Sequence, residues 1–115
     1  MLPSLLDFLR HIEHECGFVF QIANGKTKEE LFGNEILSKA LCRSLEIIGE
    51  ATKKLPVEFK DQHPQIEWGE IAGMRDVIIH DYFGIDYETV WSTITKDIPD
   101  LRREIKRIIE IESPK

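Results

Sequence analysis

Apolar residues recur along this chain at steps of three and four, and no segment of any length alternates with a period of two. Leu2, Leu5, Leu9, Ile12, Cys16, Val19 and Ala23 form a first stripe. Leu37, Ala40, Leu41, Ser44, Ile48, Ala51 and Leu55 form a second, and Leu101, Ile105, Ile108 and Ile109 the last. A helix turns about 100° per residue, so each set lines one helical face, whereas a half-buried strand would need strict alternation. Several such faces in one chain must be buried against one another. The pattern predicts an all-α up-and-down bundle of four to five helices. At 115 residues the chain fits a single domain spanning residues 1–115. A domain of that size buries roughly 65% of its unfolded surface, enough for a core without disulfides or metals.

Punctuation places the elements. Ser4 is positioned to cap the first helix with Asp7 in its first turn, and Asn24-Gly25 to end it. Thr27-Lys28-Glu29-Glu30 reads as a capping box opening the next helical stretch. Pro56 closes the second long stripe, and residues 56–64 read as a connector with one short turn near 57–60. A third helix is expected over about 67–81, with Ile71, Met74 and Ile78 inward and Gly84 breaking it. Asp86 is placed to cap a fourth over about 87–96, which Pro99 kinks or restarts.

The charge balance narrows the function. Lys plus Arg number 15 against 21 Asp plus Glu, a net charge of −6. An anionic chain is no general nucleic-acid coat, because phosphate binding needs a local excess of cations; a small basic site remains compatible. Two cysteines, Cys16 and Cys42, make neither a disulfide framework nor a zinc cluster and suit a reducing compartment. The N-terminus lacks a basic leader, and no run of about 20 apolar residues is present, so the expected location is the cytoplasm, off the membrane.

Four patterns invite functional readings and have plainer ones. Gly25-Lys26-Thr27 lacks the upstream glycine and the strand of a phosphate loop, and reads as a helix–helix turn. His11, His14, Glu15 and Cys16 match no zinc spacing and read as a solvated helix face beside a core thiol. Gly69 and Gly73, four apart, read as tight helix packing, with a dimer seam as the alternative. Arg102, Arg103, Lys106 and Arg107 form a basic stripe: either a solvated face paired with Glu104 and Glu110, or a patch that steers phosphate.

The stretch from Arg75 to Tyr82 is of another kind. Arg75 and Tyr82, seven steps apart, nearly eclipse on a helix. Asp76 and His80 are four steps apart, so the carboxylate can orient the imidazole and favour its charged form. Arg75 and His80 lie five steps, about 140°, apart. They converge if the helix end unwinds, or if two copies face each other across a two-fold axis. The chemistry suits phosphodiester cleavage. A histidine near neutral pKa takes a proton from a ribose 2′-OH or gives one to the leaving oxygen. An arginine holds phosphate and stabilises developing charge, and a tyrosine hydrogen-bonds or stacks on a base.

Arg75-x4-His80-x-Tyr82 matches the R-x4-H-x-Y motif of HEPN-domain ribonucleases. With the segment from Arg43 to Ala51, Trp68, Gly73-Met74-Arg75, the run from His80 to Asp86, and Val90-Trp91, the chain resembles HepT-like proteins over nearly its whole length. The resemblance implies a homodimeric toxin of a toxin–antitoxin pair. Its activity would be a metal-independent, cofactor-free endoribonuclease with tRNA as target class. In that reading Arg75 and His80 are catalytic, Tyr82 contacts substrate, and Asp76 occupies a polar substrate-binding slot that is often asparagine in the family. The implied partner is a separate MntA-type nucleotidyltransferase antitoxin, which transfers AMP from ATP onto Tyr82. None of the seven glycines here is followed by serine, so the transferase's own signature is absent from this chain. The competing expectation is a non-catalytic helical module that presents a substrate to such a transferase.

Overall fold

The computed structural model describes residues 4–80 and 86–112, with the backbone alone described for 77–80. Every regular element among them is helical: α1 (Leu5–Ala23), α2 (Lys28–Phe32), α3 (Glu35–Lys53), α4 (Val57–Asp61), α5 (Trp68–His80), α6 (Tyr87–Ser92) and α7 (Ile98–Glu112), with one π-helical turn, Thr93–Asp97, joining α6 to α7. The fold is all-α, as the periodicity predicts. The two short helices, α2 and α4, are single turns between the long ones.

Local chemistry accounts for the boundaries. The Ser4 hydroxyl accepts from the Asp7 amide while the Asp7 carboxylate accepts from the Ser4 amide, and Thr27 and Glu30 do the same for α2. Asn34 caps α3. At the end of α1, Gly25 takes φ +76°, a left-handed conformation that costs glycine nothing. The helix is disturbed at Pro99 as expected: α6 gives way to a π-helical turn, and the α-helix resumes at Ile98 with Pro99 in its first turn. In an uninterrupted α-helix Pro99 would press its ring on the Thr95 carbonyl. The wider turn ahead of it relieves that clash, and the Ile98 amide reaches back five residues to the Thr93 carbonyl. The rod Tyr87–Glu112 is therefore continuous, about 39 Å long at 1.5 Å per residue.

The core lies where the stripes meet. α1 packs against both α3 and α7, and α3 against α5. Leu9, Ile12, Leu41, Leu45, Ile48, Leu101, Ile105 and Ile108 are all but fully buried, each contributing about 2 kcal/mol by transfer from water. Buried hydroxyls are satisfied: Ser44 donates to Glu15 Oε1 at 2.8 Å, Thr52 to the Ile48 carbonyl at 2.8 Å, and Thr93 to the Thr89 carbonyl at 3.0 Å. Glu15 thus serves the α1–α3 contact. Ile71 and Met74 are buried as expected, and the side chain of Ile78 lies outside those described.

One packing expectation fails. A Cβ added at Gly69 or Gly73 would meet nothing within 4 Å among the described residues, so this pair forms no packing seam with any of them. The close approach occurs at Gly49 of α3. There a Cβ would stand 3.1 Å from Arg75 Cβ and 3.2 Å from both the Ala72 carbonyl and the Arg75 amide nitrogen. Spacing alone does not say which face of α5 turns inward.

Candidate active site

Two aromatic anchors hold the motif-bearing region. At the start of α5, Trp68 packs on Phe59 of α4, with ring centroids 5.9 Å apart, and its indole donates to the His63 carbonyl at 3.0 Å. At the start of α6, Tyr87 packs on Phe32 of α2 at 4.6 Å, and Lys28 pairs with Glu88. Asp86 caps α6: its Oδ1 accepts from the Glu88 and Thr89 amides, and its Oδ2 accepts from the Thr89 hydroxyl at 2.7 Å. Those hydrogen bonds to Thr89 hold its carboxyl below the usual aspartate range.

Between these anchors, the Gly49 crossing sets the position of Arg75. Its guanidinium is half-exposed and carries an ion pair from Nε to Glu50 Oε2 at 2.6 Å. Nη1 donates to Asp76 Oδ1 at 3.3 Å. Lys53 Nζ donates to both Asp76 oxygens, at 3.3 and 3.5 Å. Glu50, Arg75, Asp76 and Lys53 thus form a chain of alternating charge on adjoining faces of α3 and α5. The two signs balance, so an incoming phosphate meets Arg75 only in competition with Glu50.

Of the residues expected at the site, Arg75 and Asp76 are brought together. The backbone remains helical through His80, which keeps positions 75 and 80 about 140° apart around the α5 axis. The His80 side chain and Tyr82 lie outside the described residues. Asp76 meets Lys53 and Arg75 among its described contacts, a role the four-step spacing to His80 does not reveal. Glu50 and Lys53 were not expected at the site. Both come from α3, and only the fold brings them to Arg75.

The basic stripe of α7 is largely paired. Arg103 meets Asp100, Arg107 donates to Glu104 at 2.9 Å, and Arg102 and Lys106 each approach Glu13 of α1 at 3.8 Å. Glu13 in particular crosses between helices, a pairing that spacing along α7 cannot show. Among the described residues, no helix is long and apolar enough to cross a membrane.

Comparison with known proteins agrees with this frame. The family profile described as "Ribonuclease HepT-like" matches residues 12–108. A protein of Caldanaerobacter subterraneus subsp. tengcongensis named "Putative RNase TTE0752" is 47% identical over 105 residues, covering 91% of this chain and 94% of that one. A protein of Thermococcus cleftensis named "Probable ribonuclease HepT" is 37% identical over 108 residues, covering 94% and 98%. No solved structure matches the chain. A match across most of the sequence, on an all-α chain whose Arg75 is held at a helix crossing, identifies the chain as a member of the HepT-like ribonuclease family.

Proposed function

We propose that this protein is a metal-independent endoribonuclease toxin in which Arg75 and His80 cleave RNA, with tRNA as the target class. The 2′-oxygen of the ribose attacks the adjacent phosphorus and the bond to the 5′-oxygen breaks. One histidine removes the 2′ proton, and a protonated histidine supplies a proton to the leaving oxygen. Arg75 stabilises the extra negative charge on the phosphoryl oxygens. The nucleophile is part of the substrate, so the chemistry requires no cofactor.

The observation that carries this reading is the placement of Arg75. It is half-exposed, fixed by the Gly49 crossing, and held by carboxylates that a phosphate can displace. The unbroken helix supports a second element. With positions 75 and 80 turned apart on one α5, a homodimer that sets two copies of α5 face to face would supply Arg75 from one copy and His80 from the other. Asp76 contacts substrate or tunes the site in this scheme, and Tyr82 contacts RNA.

The same proposal includes control by a separate MntA-type nucleotidyltransferase antitoxin that uses ATP to attach AMP to Tyr82. The added phosphate would sit in sequence seven residues from Arg75 and repel RNA. The support is the family membership and the motif itself.

The test is cleavage of total tRNA by purified protein in EDTA, beside Arg75→Ala and His80→Ala. Cleavage by the wild type, lost in both variants, is the expected result. Cleavage that survives in His80→Ala overturns the assignment of His80.

A further inference from the structure

Away from Arg75, a cleft of about 580 Å³ opens between the C-terminal half of α1 and the rod formed by α6, the π-helical turn and α7. That is within the range of ligand sites and far above the roughly 30 Å³ share of one water. Its floor is apolar, with Val19, Ile94 and Ile98, and it carries two aromatic surfaces, Phe20 and Trp91. Phe20 is 54% exposed. The rim is cationic: Lys26, Arg102, Arg103 and Lys106 line the same cleft, with Arg103 meeting Asp100 and with Arg102 and Lys106 each 3.8 Å from Glu13, exposed or loose pairs that a phosphate can replace. These four hold more than a quarter of the 15 lysines and arginines of a chain whose net charge is −6.

The wall between this cleft and its neighbour is the telling part. The Arg102 guanidinium lies over the Phe20 ring, 5.5 Å from its centroid. Both residues also line a second cavity of about 460 Å³ beside Gly17 and Phe18. Arg102 Nε is buried without a hydrogen-bond partner among the described residues, and the Glu13 carboxylate stands 3.8 Å from it, beyond hydrogen-bonding reach. Arg102 and Phe20 therefore stand between two hollows, with cations on the rim.

We propose that this cleft binds single-stranded RNA, taking an unstacked base against Trp91 and Phe20 and the adjoining phosphates on Lys26, Arg103 and Lys106. The proposal rests on the ribonuclease reading and extends it to substrate binding outside the cleavage site. Flat aromatic surfaces accept any base face, and cations beside them accept the backbone. A duplex hides its base faces and does not enter a cleft of this shape. An acidic protein segment would match the rim but has no use for the aromatic faces of Phe20 and Trp91, which favour a planar occupant.

The test uses the full chain and an uncleavable probe, a 2′-O-methyl oligonucleotide of about ten nucleotides, within the span of single-strand grooves. Affinity is measured against salt for wild type, Phe20→Ala and Lys106→Glu. Both side chains are more than half exposed, so the core is untouched. Thermal melts confirm folding, and Lys106→Glu alone keeps the test readable if Phe20→Ala does not fold. Each variant is expected to weaken binding about tenfold. Lys106→Glu is expected to flatten the salt dependence by about one ion, and cleavage of a dinucleotide should be unchanged. Quenching of tryptophan fluorescence by the probe should disappear in Trp91→Phe. Unchanged affinity in both variants, with tRNA cleavage intact in wild type, overturns the proposal and points the cleft to an acidic protein partner. Cleft-dependent binding by a wild-type protein that cleaves no RNA overturns the ribonuclease reading and leaves the cleft assignment standing.

Discussion

Before RNA arrives, the Arg75 guanidinium already faces Glu50 and Asp76. That pairing lowers the cost of holding a cation at a helix crossing and sets a threshold for phosphate. An ion pair this exposed contributes about 1 kcal/mol at most. Glu50→Gln should therefore tighten RNA binding by about fivefold at low salt, measured by anisotropy on an uncleavable RNA, and the gain should fade as salt screens the pair. Looser binding would assign Glu50 to holding Arg75 in place. Cys16 makes a contrasting case. Burial first, and then the charge of Glu13, push its thiol up to about 12, with Arg102 opposing. A thiol near 12 carries almost no thiolate at neutral pH, so Cys16 should resist iodoacetamide until the protein unfolds, as peptide mapping would read. The linkage sign follows. The unfolded thiol ionises near pH 8.5 and the folded one does not, so this contribution is complete below that pH and is lost as pH rises toward 12. The loss is about 1.4 kcal/mol per pH unit at its steepest, and the difference from Cys16→Ala isolates it.

At the scale of elements, α5 is positioned by backbone contact more than by side chains. Gly49→Ala would push a methyl to 3.1–3.2 Å from α5 atoms, the backbone among them. A cost of about 1–3 kcal/mol is expected, with a fall in kcat larger than the folded fraction explains, because Arg75 moves with the crossing. Equal losses in both would dismiss the coupling. Asp86 governs the other anchor. Its lowered pKa means that its cap is present above about pH 4 and is lost as pH falls through that range. The melting temperature of Asp86→Ala should lie below that of wild type at pH 6, and the gap should close toward pH 3; Asp86→Asn, which keeps an amide-accepting oxygen, should lose less. These elements differ in how legible they are from sequence. The caps at Ser4, Thr27 and Asp86 are local, with donor and acceptor two or three residues apart, so spacing reveals them. The Gly69 and Gly73 pair has the spacing of a seam and yet meets none of the described residues, because periodicity does not state which neighbour a face meets. The actual crossing falls on Gly49, which has no spacing signature. Pro99 signals a disturbance, but not that a wide turn would absorb it. At the candidate site, Arg75 and Asp76 are readable from the motif. Glu50 and Lys53 are not, since only the packing of α3 on α5 joins them.

For the whole molecule the question is how many chains make one site. If Arg75 and His80 act across a two-fold axis, Arg75→Ala and His80→Ala, each inactive alone, should complement when mixed after unfolding and refolding. Half the dimers would then be mixed, and each mixed dimer would hold one intact site, giving about a quarter of wild-type activity. No recovery, in a mixture shown by native mass spectrometry to contain mixed dimers, would place both residues of a site in one chain.

The turn after α1 carries a chemical liability. Gly25 is there because a left-handed residue ends the helix, and Asn24 precedes it on the exposed surface. The missing Cβ that permits φ +76° also leaves the Gly25 amide nitrogen unhindered for attack on the Asn24 side-chain amide. That attack expels ammonia, and water then opens the ring to aspartate or isoaspartate. Ageing would thus write a new carboxylate beside Lys26, at the rim of the cationic cleft. Stored protein should separate by ion exchange into younger and older forms, the older one more acidic and slower to take up RNA.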